Sequence, residues 1–117
     1  MADIRILIAL WRTLRYRLQY SLGLRLLPFK LRIAVTKQCN YHCRMCGIWK
    51  SKTPKEEITV EEIRKICRTN AAFFKRLVHV TFTGGEPFLR DDLVCLAKAI
   101  HEFLPQVRLN LNTNGSL

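Results

Sequence analysis

Acidic residues are scarce in this chain of 117 residues: nine Asp and Glu stand against 20 Lys and Arg, for a formal charge of +11. Gly-, Ser- or Pro-rich tracts are absent, and with 49% hydrophobic residues the composition is not that of a disordered chain. Long apolar runs are missing as well. The longest charge-free run near the N-terminus is Ile6 to Trp11, far below the ~20 residues that span a bilayer. It is also too short for the core of a secretory signal, and no small-residue cleavage site follows it. Five cysteines cannot all pair, so a complete disulfide framework is excluded. A cytoplasmic location with reduced thiols is the expectation. The length allows one domain, which buries roughly two-thirds of its unfolded surface.

The positive charge is concentrated at the start. Residues 1–37 carry eight Lys or Arg and one Asp, a net of +7, whereas residues 38–117 carry twelve against eight, a net of +4. The period of this basic segment is ambiguous. At helical spacing Arg5, Arg12, Arg15 and Gln19 share one face, and Leu7, Leu10, Leu14, Leu18 and Leu22 share another. From Leu14 to Leu26, however, apolar and polar residues alternate as in a strand. Length and leucine content favour a helix over 4–22, ended by Gly23 with Pro28 beyond. Two roles stand side by side for residues 4–27. With Trp11, Tyr16 and Tyr20, a cationic amphipathic helix suits peripheral contact with an anionic membrane, at the inner face for a cytoplasmic protein. Alternatively, it packs on its own domain with its arginines in water. No nucleic-acid partner is expected, because the arginines are diluted among leucines.

Beyond Pro28, residues 30–117 read as one α/β unit after an N-terminal segment of residues 1–29. Strands are expected at Leu31–Thr36, Leu77–Thr83 and Val107–Asn112. The first two are separated by a helix that starts on a capping box, Thr59-Val60-Glu61-Glu62. It is expected to reach about Phe74, with Val60, Ile63, Cys67, Ala71 and Phe74 on one face. A second helix, Asp92 to Leu104, is expected to be capped by Asp91, carries Leu93, Leu96, Ala97, Ile100 and Leu104 on one side, and stops at Pro105. Strands alternating with helices of this length imply crossovers and a parallel sheet.

Each strand has one aliphatic side: Leu31, Ile33 and Val35; Val78, Val80 and Phe82; Val107, Leu109 and Leu111. The other side is polar or small: Arg32, Ala34 and Thr36; His79, Thr81 and Thr83; Arg108, Asn110 and Asn112. A parallel sheet buried on both faces would be apolar on both. The pattern therefore implies helices on one face and a wet cavity on the other, as in a curved, open barrel.

Chemistry concentrates directly after the first strand, in Cys39-Asn40-Tyr41-His42-Cys43-Arg44-Met45-Cys46. Three thiolates this close can converge on one centre. Zinc held by three Cys and His42 competes, although structural zinc sites usually pair one CxxC with a distant second pair. Three sulfurs would leave one position of a cubane cluster open to another ligand. Cys67 reads as a buried small hydrophobe and Cys95 as a helix-margin residue. His42 and the lysines around Pro54 (Lys50, Lys52, Lys55) read as loop surface, and His79 as a cavity-facing, hydrogen-bonded histidine.

CxxxCxxC after the first strand, Gly84-Gly85-Glu86-Pro87 after the second and Thr113-Asn114-Gly115 after the third together resemble the radical S-adenosylmethionine (SAM) superfamily. Within it, residues 31–117 are similar to the molybdenum-cofactor cyclase and peptide-modifying members. The resemblance implies an enzyme in which Cys39, Cys43 and Cys46 ligate a [4Fe–4S] cluster whose fourth iron binds SAM. It places Met45 near the adenine, Gly84, Gly85, Glu86 and Pro87 around the methionine ammonium, and Thr113 and Asn114 near the methionine and ribose. A reductant protein such as flavodoxin or ferredoxin would deliver one electron. The resulting 5′-deoxyadenosyl radical would take hydrogen from an unknown substrate. The family's partial barrel has six parallel strands; three are found here, so the fold expected is an incomplete (β/α) partial barrel behind an amphipathic helix. A fragment of a longer enzyme is the expectation, with a partner chain as the alternative source of the rest. The competing functional class is a non-catalytic iron–sulfur or zinc-binding module.

Overall fold

In the computed structural model, residues 4–24, 27–51 and 57–117 are described. Arg25, Leu26, Lys52, Pro54 and Lys55 of the sequence patterns lie outside them. The first helix, α1, spans Ile4–Ser21. It ends with Gly23 N–H donating to the Tyr20 carbonyl and Leu24 N–H to the Gln19 carbonyl, the paired bonds of a Schellman cap. The strands are β1 (Lys30–Thr36), β2 (His79–Gly84) and β3 (Arg108–Leu111), parallel and in the order β1-β2-β3. This is the open parallel α/β sheet that the sequence pattern implies.

Register explains the two-sided pattern. Leu31 pairs with Val80 and Val80 with Leu109; Ile33 pairs with Phe82 and Phe82 with Leu111. Aliphatic side chains thus stack in rows across all three strands on one face. Helices α2 (Val60–Thr69) and α4 (Leu93–Phe103) bring Ile63, Cys67, Leu96, Ala99 and Ile100 into the same core as Val35, Val80, Phe82 and Val107. On the opposite face Arg32, Ala34, Arg108 and Asn110 are exposed, and His79 and Thr81 are half-buried. The Asn110 amide lies 3.4 Å from His79 Nδ1. The wet face is real, and no described element covers it.

Four expectations are corrected. The helix from Val60 does not run through to Phe74. Asn70 turns its side-chain amide back onto the Ile66 carbonyl (2.9 Å), and the chain restarts as a single turn, α3 (Ala71–Phe74), with Ala71 exposed. A side chain that competes for helix carbonyls is a natural break. The capping box at Thr59 is present as read: Glu62 N–H donates to Thr59 Oγ1, and Thr59 N–H donates to Glu62. At α4 the cap position is Asp92, not Asp91, and its carboxylate makes no cap bond because Arg90 takes both oxygens. Leu77 and Val78 precede β2 rather than open it. Finally, Thr36 is buried, not on the wet face. The register slips between Ala34 and Thr36, and this irregularity leaves Val35 and Thr36 buried in succession.

Candidate functional site

The site is built at the C-terminal ends of the three strands, where a parallel sheet sends its loops to one rim. β2 runs into Gly84-Gly85, and both glycines are dictated by close contact with the chain leaving β1. A Cβ on Gly84 would lie 2.0 Å from the Thr36 carbonyl oxygen, and one on Gly85 would lie 1.8 Å from that of Gln38. Gly84 also has φ +134°, a conformation that side chains resist. The approach lets Gly85 N–H donate to Thr36 O (2.9 Å) and Glu86 N–H donate to Gln38 O (2.7 Å). The segment entering the cysteine motif is thereby tied to the end of β2.

Glu86 closes the second link. Its side chain is fully buried, yet every contact is a donor from the protein. Phe88 N–H (3.1 Å) and the Thr113 hydroxyl (2.8 Å) donate to Oε1, and Asn114 N–H donates to Oε2 (2.7 Å). Burial pushes this carboxyl up, but the Asn114 and Phe88 amides and the Thr113 hydroxyl together hold it below the ordinary carboxylate range. Pro87, itself buried, follows as the first residue of a single turn, Pro87–Leu89, whose Phe88 and Leu89 are exposed.

A third link joins the two outer motifs. Asn114 donates its side-chain amide to Asn40 Oδ1 (2.8 Å), and Asn40 donates to Ser116 Oγ (2.8 Å). Beneath the rim, Arg90 donates to the Val35 carbonyl (2.6 Å) and bidentately to Asp92, with Glu57 3.6 Å away. Glu57 in turn accepts a hydrogen bond from Thr36. Asp92 and the charge of Glu57 hold the Arg90 guanidinium protonated. Thr36, Gln38, Asn40, Glu57, Arg90 and Ser116 were not singled out by their sequence context. The signals that point to them are a threonine closing an aliphatic strand and a lone arginine before two aspartates.

The cysteine loop is different in kind. Cys39 is half-buried against Gly85, whereas Cys43 and Cys46 are exposed, and all three thiols are free. Tyr41 N–H points at Cys39 Sγ (3.4 Å), and Cys46 N–H donates to the Cys43 carbonyl (3.1 Å). His42 is exposed and packs edge-on against Trp49, with ring centroids 4.6 Å apart. Met45 is 97% exposed. Among the described residues no three His, Cys, Asp or Glu side chains stand close enough to hold a metal ion. Three free thiols on one loop nevertheless form the soft donor set that an iron–sulfur centre takes, and an amide aimed at Cys39 Sγ is a bond that a ligated thiolate accepts. The donor set fits such a centre. Cys67 is buried within the core, where desolvation pushes its thiol up, and Cys95 is exposed on α4.

Comparison with known proteins agrees with this geometry. Residues 33–117 match the model of the radical SAM superfamily. The GTP 3′,8-cyclase of Sulfurovum sp. (strain NBC37-1) is 38% identical over 90 residues, which is 74% of this chain and 27% of that enzyme. The probable GTP 3′,8-cyclase of Archaeoglobus fulgidus is 40% identical over 87 residues, 74% of this chain and 28% of its own. This chain therefore spans little more than a quarter of these relatives. Among solved structures, BtrN in complex with AdoMet and 2-DOIA shares the fold, with a TM-score of 0.66 at 23% identity over 80% of this chain and 38% of that one. From its three motifs, the rim that joins them and a family match over most of its length, the chain belongs to the radical SAM superfamily.

Proposed function

We propose that residues 30–117 form the cosubstrate-binding part of a radical SAM enzyme. The observation that carries this reading is the linkage at the rim. Gly84 and Gly85 hold the exit of β1, Glu86 holds Thr113 and Asn114, and Asn114 holds Asn40, so three distant motifs form one hydrogen-bonded unit. Such preorganisation positions a bound molecule at low entropic cost.

Within this reading Cys39, Cys43 and Cys46 hold a [4Fe–4S] cluster. The backbone of Gly84–Pro87 receives the methionine ammonium of SAM, Thr113 and Asn114 stand at its ribose end, and Met45 lies against the adenine. When bound, the cluster and SAM would supply one-electron reductive chemistry for hydrogen abstraction from a substrate. The chain's own contribution is to bind and orient. Glu86 acts through Thr113 and Asn114 and is a positioning residue. A flavodoxin- or ferredoxin-like protein serves as the electron donor.

Anaerobic reconstitution should yield about four irons and four sulfides per chain. Added SAM and a chemical reductant should then release 5′-deoxyadenosine, and Cys43→Ala should abolish both. Tightly bound zinc in a colourless protein overturns the cluster assignment. A brown protein that never cleaves SAM overturns the catalytic reading in favour of an iron–sulfur binding module.

A further inference from the structure

The leucine face of helix α1 is not used by the described fold. None of the helix's described residues belongs to the hydrophobic core or packs against it as a partly buried neighbour. Its leucine stripe stands in water, with exposure running from 53% at Leu7 to 68% at Leu14, and Trp11 at 59% lies beside it. Where the helix does approach the body, it uses another side. Tyr16 lines a depression of about 330 Å³ together with Leu27, Pro28, Phe29 and Phe73. At 100° per residue, Tyr16 projects from the side opposite the Leu7–Leu10–Leu14–Leu18 stripe. The stripe therefore faces away from the domain.

Charge indicates what covers it. Between Ile4 and Ser21 the sequence carries four arginines and no acidic residue. Arg15 and Arg17 fall on either flank of the stripe at helical spacing, and the Arg15 guanidinium sits 5.4 Å from the Trp11 ring centroid. A second copy of α1 laid on this face would bring arginine to arginine with no carboxylate to answer it. An anionic bilayer surface offers what the face lacks: hydrocarbon for leucine and tryptophan, and negative headgroups for the flanking guanidiniums. Among the described residues no helix is long and apolar enough to cross a membrane, so the helix would lie in the interface.

We infer that α1 is a membrane-surface anchor. Through Leu7, Leu10, Trp11, Leu14 and Leu18 it docks on bilayers rich in anionic phospholipid, with Arg15 and Arg17 at the headgroups. The docking face of α1 lies outside the cofactor rim, and the inference stands whether or not residues 30–117 cleave SAM.

The test is co-sedimentation of the whole chain with vesicles of phosphatidylcholine alone, or with roughly 30% phosphatidylglycerol, a content sufficient for a strong surface potential. Binding should be confined to the anionic vesicles and should weaken as salt rises from about 0.05 M to about 0.5 M. Arg15→Gln and Arg17→Gln should each weaken it roughly fivefold. Leu14→Glu should abolish it while leaving the unfolding transition of the core unchanged, because α1 adds nothing to that core. Equal recovery on neutral and anionic vesicles overturns the inference. So does the absence of vesicle binding in a chain that sedimentation velocity shows to be a dimer dissociated by Leu14→Glu; a second copy would then be the occupant.

Discussion

Two segments at the same rim, Gly84–Pro87 and Cys39–Cys46, share one cofactor site in the function we propose, yet they are built in opposite ways. In the first, Glu86 and Pro87 are buried, the Gly85 and Glu86 N–H groups donate to the chain leaving β1, and the Glu86 carboxylate is filled by three donors from the protein itself. The second carries two of its three thiols in water, with Met45 almost wholly exposed. One segment is held by the fold; the other offers its functional groups outward. A motif can therefore serve a site either because it touches the ligand or because it holds together the segments that do. Glu86 belongs to the second kind.

This contrast can be broken at four points, in falling order of effect on stability. Gly84→Ala should cost about 3 kcal/mol or more, since it combines a disfavoured φ with a clash against backbone that cannot swing aside. Chemical denaturation would show it, and an effect below about 1 kcal/mol would mean that β1 and β2 part easily at the rim. Glu86→Gln should cost about 1–3 kcal/mol, because one carboxylate oxygen becomes an amide N–H facing a donor.

The third point is the pH dependence of that loss. The folded Glu86 carboxyl lies below its ordinary value of 4.5. Its contribution is therefore complete above the unfolded value and disappears as pH falls through the lower folded one. The stability gap between the parent chain and Glu86→Gln should accordingly shrink in acid. A gap constant from neutral pH down to strong acid would show that the carboxylate charge is not what its three donors recognise. The smallest effect is at the loop: Cys43→Ala should leave the apo chain within about 0.5 kcal/mol of the parent, although it removes a proposed cluster ligand. A large loss there would mean that the cysteine loop is structural, and the contrast would fail.

Much of this was legible in the chain. The alternation in the strands announced the two faces of the sheet, since side-chain direction has a period of two whatever the partner. The Thr59–Glu62 capping box was readable because both halves of the bond are local. The break at Asn70 and the diversion of Asp92 to Arg90 were not. In each case a side chain had two possible partners, and local sequence does not rank them. Thr36 was misplaced for a related reason: a register slip between β1 and β2 depends on both strands.

By itself, then, the sequence determined the parallel α/β class, the three ligand-type cysteines, the order of the motifs and the concentration of basic charge in residues 1–37. These depend on composition, spacing and periodicity, which survive without three-dimensional contacts. Only the tertiary structure decided what the motifs do to one another. It showed that Gly84 and Gly85 are small because Thr36 and Gln38 lie against them, that Glu86 faces Thr113 and Asn114, and that the leucines of α1 point away from the body. Those facts join residues far apart in the chain, and only folding brings such residues within reach of a hydrogen bond or leaves them facing water.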